Sequence, residues 1–432
     1  MISAPPVRNV AALYALALLT LVNALSQIDR SVLSLVLPLI KHDMMLSDTA
    51  LGLLSGFTFT LLYSILGVPI AWAADRWSRR NIITIGLTFW SLMTTATGLA
   101  ANVAQLALTR FLLGAGEATA LAPSSSMTAD LFTKEKRVAA LAVLSMASPI
   151  GMLIGFPLVG WLAQTHGWRA AFLVMGVPGL LIALILRFTL REPARGLSDA
   201  AGTDQSAGSL KETWGFLTRS RTYVLTILGG ALMSINIHGM ITWVPTFLVR
   251  VHHMSLQEVG TWLGVVRGPI GIVGALVSAA LATRLQWLDE RWRVWIPALA
   301  CVLLCPADVL LLMSPADSHV WKLGLGLDTF LSVAQVGPIL ALILSVARPR
   351  MRTLAAALYL LVFSLFGQTV GPLVIGVLND RLHAVFGDEA VRYSMLVAAF
   401  AALGAGIVFA SAARYSVRDG QRAISPEANS AA

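Results

Sequence analysis

Charge is scarce in this sequence. Asp, Glu, Lys and Arg make up 12% of its 432 residues, against about 25% in a soluble domain. With 57% hydrophobic residues and a mean hydropathy of +0.76, that scarcity excludes an ordinary soluble fold. Cysteine is nearly absent as well. Cys301 and Cys305 stand four apart in one apolar run, too few for a disulfide framework and without the companions of a metal site. They read as packing residues. No nucleophile–base set or metal-ligand cluster stands out, so an enzyme is the least favoured class and no metal or cofactor is expected. A net charge of +9 suggests nucleic acid only until the charges are placed along the chain.

What the sequence has in abundance is long apolar runs. Twelve are long enough, at 1.5 Å per helical residue, to cross a bilayer core of about 30 Å. They lie at 11–40, 50–73, 81–101, 104–131, 138–162, 170–190, 221–249, 257–283, 294–313, 321–346, 353–378 and 392–412. In lipid a spanning segment satisfies its backbone within itself, so all twelve are expected to be helices. Polar residues or glycines interrupt the fourth, eighth and eleventh. The first run resembles a secretory leader in having Arg8 before it and Ala24-Leu25-Ser26 as a possible cleavage site. It continues well past that point and eleven more runs follow, so it reads as a span.

The basic residues fix an orientation. With the amino terminus in the cytoplasm, 22 Lys and Arg fall in cytoplasmic segments, 6 on the opposite side and 3, Arg30, Arg110 and Arg267, within spans. That is the positive-inside pattern, and it predicts both termini inside. It also accounts for the basic composition without nucleic acid.

The texture changes at 191–220, rich in Gly, Ser, Ala and charge as a flexible linker is. It separates a six-helix bundle at 1–190 from a second at 221–413, with a cytoplasmic tail at 414–432. The halves echo each other. Gly151, Gly155 and Gly160 recur as Gly367, Gly371 and Gly376, each shifted by 216 residues, with Pro157 and Pro372 close by. Small residues four apart let helices approach closely, and the shared shift points to a duplicated unit. The expected fold is an all-α membrane protein of twelve helices in two pseudo-symmetric bundles, the layout of carriers whose halves rock around a site near the midplane.

The loop after the second span reads Gly67-Val-Pro-Ile-Ala71-Trp-Ala-Ala-Asp75-Arg76-Trp-Ser-Arg79-Arg80. It resembles the cytoplasmic motif of the major facilitator superfamily, Gly-x-x-x-Asp-Arg-x-Gly-Arg-Arg, at Asp75, Arg76, Arg79 and Arg80. Ala71 and Ser78 replace the motif's glycines, which implies slightly relaxed packing. In that family the aspartate pairs with cationic groups across the halves and favours the outward-facing state. The second-half counterpart, Gly274 to Arg284, has no aspartate. The segments 28–56, 74–84, 108–127 and 166–193 are similar to bacterial relatives of the Spinster transporters, and the first helix also to anion:cation symporters. The resemblance implies a proton-coupled carrier in a bacterial inner membrane, acting by alternating access on a small organic anion or anionic amphiphile and working as a monomer. A drug/proton antiporter is the nearest alternative, since span five resembles the antiporter Gly-x-x-x-Gly-Pro motif apart from Phe156. A non-transporting receptor is a third.

The charges inside the spans carry the chemistry. An ionised side chain at a helix centre costs about 2.5–3.5 kcal/mol on insertion scales, so it normally faces protein or a wet cavity. Asp29 and Arg30 match the Asp-Arg pair of the Spinster-like first helix, and Glu117 the glutamate of its Gly-x-Gly-Glu fourth helix. Arg110 and Glu117, seven apart, share a helix face. A carboxylate in low dielectric holds a proton until a guanidinium approaches, so these four residues form a coupling set. Candidate substrate ligands are Arg30 and Asn23 in the first half, with Asn236, His238, Arg267, Tyr359 and Gln368 in the second. Arg267 has no acidic neighbour within its own span and suits an anionic substrate. Asp308 stands deep in span nine with no evident role.

Overall fold

The computed structural model describes residues 9–193, 210–348 and 351–424. Every expected span is helical. The first is one helix, Asn9–Met44. The second is two, Asp48–Ser55 and Phe57–Ala74, followed by Arg79–Gly98 for the third. The fourth is Val103–Glu117 and Leu121–Leu131. The fifth is broken at Met146, between Lys134–Ser145 and Ala147–Thr189, and the latter helix continues into the sixth span across Gly167, whose φ of 81° reverses the chain. The second half continues with Arg221–Arg250, Leu256–Leu285 and Trp292–Met313. Its tenth span is Val320–Ala334 and Val336–Ser345. Arg352–Phe386 and Ala390–Ala412 complete the set. Of the three runs expected to be interrupted, only the fourth is broken; the eighth and eleventh are continuous, and the second, fifth and tenth break instead.

Among the described residues, eight stretches are long and apolar enough to cross a bilayer. Two of these each hold a pair of spans. The third and fourth fall outside the set for chemical reasons: the third carries Thr and Ser along its length, and the fourth is broken and holds Arg110 and Glu117.

The segments read as linker and tail both contain helices. Within 191–220 the chain forms Leu210–Arg219. Thr213 and Leu217 are buried while Trp214 is exposed, so one apolar face is enough to order it. In the tail, Ser416–Ile424 is helical. Asp419 accepts from the Ser220 hydroxyl at 3.0 Å and from the Thr222 N–H at 2.8 Å, satisfying the start of the seventh span. The remaining linker, 194–209, the tail residues 425–432, and Arg8, Arg195 and Arg350 of the charge asymmetry lie outside the described residues.

The chain divides into two compact units that do not coincide with its sequence halves. The first contains Met1–Leu46, Phe57–Thr203 and Met254–Gly268; the second contains Ser47–Gly56, Asp204–His253 and Pro269–Ala432. Each unit thus includes a short segment from the other half. Lipid tails are as apolar as leucine, so helices in a membrane associate through close packing rather than hydrophobic exclusion. The repeated glycine triplets supply that packing. In the first unit, a side chain at Gly151 or Gly155 would collide with Ala24 or Ile28 of the first span, and one at Gly160 with Leu256 and Gly260 of the imported segment. In the second, Gly367 and Gly371 abut Ser234 and Ile235 of the seventh span, and Gly376 abuts Asp48 and Thr49 of its imported segment. The 216-residue shift therefore relates residues with the same task.

Polar contacts secure the 47–56 segment. Arg250 grips Asp48 with two nitrogens, at 2.6 and 2.9 Å. Asp380 accepts from the N–H groups of Asp48 and Thr49 at 2.9 and 2.8 Å, capping the short helix. Asp48 is 2% exposed, and breaking a buried pair from one side costs about 3–5 kcal/mol. Asp48→Asn is expected to release this segment. A cysteine at buried Leu54, in a background lacking the two native cysteines, should then react with a maleimide several-fold faster than in the parent. Equal reactivity would show that the ion pair does not hold the segment.

Candidate functional site

The first span passes its polar residues through the interior of the first unit. Asp29 is 4% exposed, Arg110 2% and Glu117 1%. Glu117 accepts two hydrogen bonds on one oxygen: from Arg30 Nε at 2.8 Å and from the Ser26 hydroxyl at 2.8 Å. Ser26 and Arg30 are four residues apart on one helix face, so a single carboxylate meets both. The close ion pair of Glu117 is thus with Arg30 of another helix, not with Arg110 on its own. Arg110 lies within electrostatic range of both Glu117 and Asp29. Its Nε and Nη1 have no hydrogen-bond partner among the described residues, nor has Glu117 Oε1. Asp29 sits among Trp90, Thr94, Arg110 and Glu117.

Arg30 differs from its neighbours in reaching outward. Its side chain is 30% exposed, against 0% for that of Glu117. The guanidinium rests over the rings of Phe59 and Tyr63, at 4.8 and 4.9 Å from their centroids. Cation–π contact keeps a partly desolvated guanidinium favourable while leaving its edge available. Two carboxyl groups, two guanidiniums and an aromatic floor therefore meet in one region. It has the means to hold or release a proton and to present a fixed cation.

The other candidate ligands are less open than their sequence positions suggest. Asn23 turns back to Leu19 O at 2.8 Å. His238 Nδ1 lies 3.0 Å from Ser234 O, with its ring edge-on to Phe363. Gln368 donates to the Ser364 hydroxyl at 2.9 Å. Tyr359 is 7% exposed and packs on Phe363. Asn236 is 0% exposed; its amide donates to Asp308 at 2.7 Å and to Ala398 O at 3.0 Å. In this structure the amide is wholly enclosed and committed to a neighbouring carboxyl. It also gives Asp308 its partner. Arg267 is buried, in the Met254–Gly268 segment that clusters with the first unit rather than the second. Cys301 packs against Met233, with the sulfurs 3.6 Å apart.

The loop motif builds a network within the first unit that sequence reasoning recognised only in part. Arg79 is 2% exposed and donates to Glu192 at 3.1 Å, to Asp130 and Ser126, and to Pro193 O. Ser78, in place of a motif glycine, donates to Glu192 at 2.6 Å and caps the third span by accepting from Asn81 N–H. Its hydroxyl thus does more than relax the packing. Burial would raise the Glu192 carboxyl, but the bonds from Ser78, Arg80 and Arg79 outweigh it and hold the group below the usual carboxylate range. Glu192 and Asp130 carried no signal except as acids at the ends of apolar runs. Gly67 lies in the second span, with Asp75 exposed and Arg76 stacked on Trp72 at 4.0 Å; Arg80 points to Leu190 O.

Known proteins resemble this chain in sequence and fold. A structure described as a bacterial homolog of the human lysosomal transporter Spinster, inward-facing and unoccupied, superposes with a TM-score of 0.85 at 26% identity, covering 96% of this chain and 99% of that one. An MFS-type efflux pump of Mycolicibacterium smegmatis is 34% identical over 93% of this chain and 92% of its own length. A probable galactarate/D-glucarate transporter of Bacillus subtilis is 29% identical over 66% of this chain and 68% of its own. The sequence model of the Major Facilitator Superfamily matches residues 19–372. Twelve helices in two related sets, the loop motif and these likenesses agree: this chain belongs to the Major Facilitator Superfamily and is a multi-pass membrane transporter, not an enzyme.

Proposed function

We propose that this transporter is proton-coupled and moves a small organic anion or anionic amphiphile by alternating access across a bacterial inner membrane, with both termini cytoplasmic. The observation that carries the reading is the Arg30–Glu117 pair. A wholly buried carboxylate is bound to a guanidinium that is itself partly exposed. When an anion takes the guanidinium, Glu117 loses its countercharge, and a carboxylate without one in low dielectric takes up a proton. Anion binding and protonation then favour each other. Asp29 and Arg110 complete the set by keeping the total charge near neutral. Neither partner needs a cofactor; the proton gradient supplies the energy.

The relative that carries galactarate or glucarate, both diacids, supports an anionic substrate. Arg30 is the first anion ligand, and Arg267 is offered as the second. The efflux pump at 34% identity supports export as the direction. Under that second reading an inward proton drives the substrate out.

Glu117→Gln should abolish accumulation driven by an imposed pH gradient in proteoliposomes while sparing exchange, because a permanently neutral side chain mimics the protonated carboxyl. Labelled D-glucarate and a panel of carboxylates, sulfonates and phosphates are the probes. Undiminished gradient-driven accumulation in the variant would remove Glu117 from the proton path. Arg30→Lys and Arg267→Lys should each weaken anion binding about tenfold or more, since an ammonium lacks the guanidinium fork. Thermal stabilisation of the purified proteins by the same panel reads this directly. Ethidium held equally by wild type and both variants, with no anion bound, would favour a cationic-drug antiporter instead. Asp75→Asn, in the gating motif, should depress transport at near-normal expression; full transport would deny Asp75 a gating role.

A further inference from the structure

In the second unit a cleft of about 350 Å³ opens between the start of the ninth span and the end of the twelfth. Arg291, Trp295 and Val302 line one wall, and Gly406, Ile407 and Arg414 the other. Positions 291, 295 and 302 are four and seven residues apart, so they share a face of their helix. Ile407 and Arg414, also seven apart, do the same on the facing helix. The two helices meet closely at Gly406, where a side chain would collide with Val302 and the Ala298 carbonyl. That contact puts an arginine from each helix at the mouth of one cleft.

Both arginines are exposed, and among the described residues neither guanidinium forms an ion pair. Their neighbours are otherwise committed. Arg293, half-buried, donates to Gln286 at 3.4 and 3.3 Å. Asp289, two residues before Arg291, accepts from the Arg291 backbone N–H at 2.8 Å. Asp419, beyond Arg414, accepts from Ser220 and Thr222. Arg221 lies over the Tyr415 ring. Two like charges on one cleft repel each other, and an anion set between them turns that repulsion into attraction.

Past its mouth the cleft is apolar. Trp295 is 39% exposed and Ile407 59%, on spans whose outward apolar side chains face lipid. A tryptophan one turn inside a span stands at the headgroup level. The helix from Arg291 to Val302 rises about 16 Å, close to one leaflet's share of a hydrocarbon core about 30 Å thick. The cleft therefore pairs a cationic mouth at headgroup depth with an apolar channel at acyl-chain depth. A soluble anion fills only the mouth. A phospholipid fills both, and a headgroup of net negative charge complements two arginines where a zwitterionic one brings its own cation.

We propose that the cleft between the ninth and twelfth spans binds one anionic phospholipid, its phosphate held between Arg291 and Arg414 and an acyl chain lying along Trp295, Ile407 and Val302. Guanidinium groups suit phosphate because they donate paired N–H bonds to its oxygens, and basic pockets between spans are a recurring place for anionic headgroups. The bound phosphate ties the start of the ninth helix to the end of the twelfth. The site lies apart from the Glu117 centre, and it does not depend on what the substrate is or on which face of the membrane the termini occupy.

Native mass spectrometry of the purified chain, titrated with phosphatidylglycerol or phosphatidylcholine of identical chains, tests this without a substrate. The wild type should hold one phosphatidylglycerol about tenfold or more tightly than phosphatidylcholine. Arg291→Ala and Arg414→Ala should each weaken phosphatidylglycerol about fivefold, and the double variant about 25-fold. Arg284→Ala, at the end of the eighth span, should leave its binding unchanged. Equal retention of the two lipids by the wild type, or undiminished phosphatidylglycerol binding in the double variant, would overturn the proposal. Displacement of the lipid by millimolar glycerol phosphate would make this a soluble-anion site and overturn it equally. Location is read with both arginines in place: bimane on Leu303→Cys, beside the cleft and in a background lacking the two native cysteines, should be quenched more by brominated phosphatidylglycerol than by brominated phosphatidylcholine. Equal quenching would place the lipid elsewhere.

Discussion

A charge placed where there is no water must be balanced by something within reach, and that constraint organises this molecule. Glu117 meets it with Arg30 and Ser26, and Asp48 with Arg250. Each pairing fixes the position of a helix, because an ion pair separated inside the membrane is costly. Helices are therefore not free to slide past one another. Under the proposed function they move between arrangements in which every buried charge has some partner, with a proton or an anionic substrate serving as one. The chemistry of transport and the mechanics of the fold share this requirement.

Close packing is the second requirement, and the duplicated glycines meet it. Gly155 lies against Ile28 in the first unit as Gly371 lies against Ile235 in the second, so the helix carrying the Asp-Arg pair is held against the fifth span. The next glycine in each triplet seats a segment drawn from the other half of the sequence. One motif thus does two jobs, anchoring a helix of its own bundle and docking a segment of the partner half.

Hydropathy and periodicity reveal the architecture because lipid makes the spanning helix obligatory; even the fifth and sixth spans, merged but for Gly167, were separable by their apolar lengths. The repeat was legible as a shift of glycines. The Asp29, Arg30, Arg110 and Glu117 set was legible because charge inside an apolar run is conspicuous. What was not legible was pairing between helices. Nothing in the spacing of Arg110 and Glu117 announces that Arg30 takes the close contact instead. The bond from Asn236 to Asp308 was equally hidden, because sequence does not distinguish a polar side chain facing a cavity from one facing an acid on a neighbouring helix. Glu192 and Asp130 stand near the ends of apolar runs, where charge is ordinary and draws no notice. The amphipathic helices at 210–219 and 416–424 are short, and composition alone gave them to the linker and tail.

The central claim is that an anion and a proton are linked through Glu117, and proton movement measured alongside substrate movement tests it most directly. The organic anion that best stabilises the purified protein should be given a downhill gradient across proteoliposomes containing a trapped pH indicator, with no pH gradient imposed. The account predicts a change of internal pH that follows the anion flux in the wild type. In Glu117→Gln the flux should continue as exchange while the pH change disappears. Anion flux in the wild type with no accompanying pH change, the membrane potential being clamped, would contradict it.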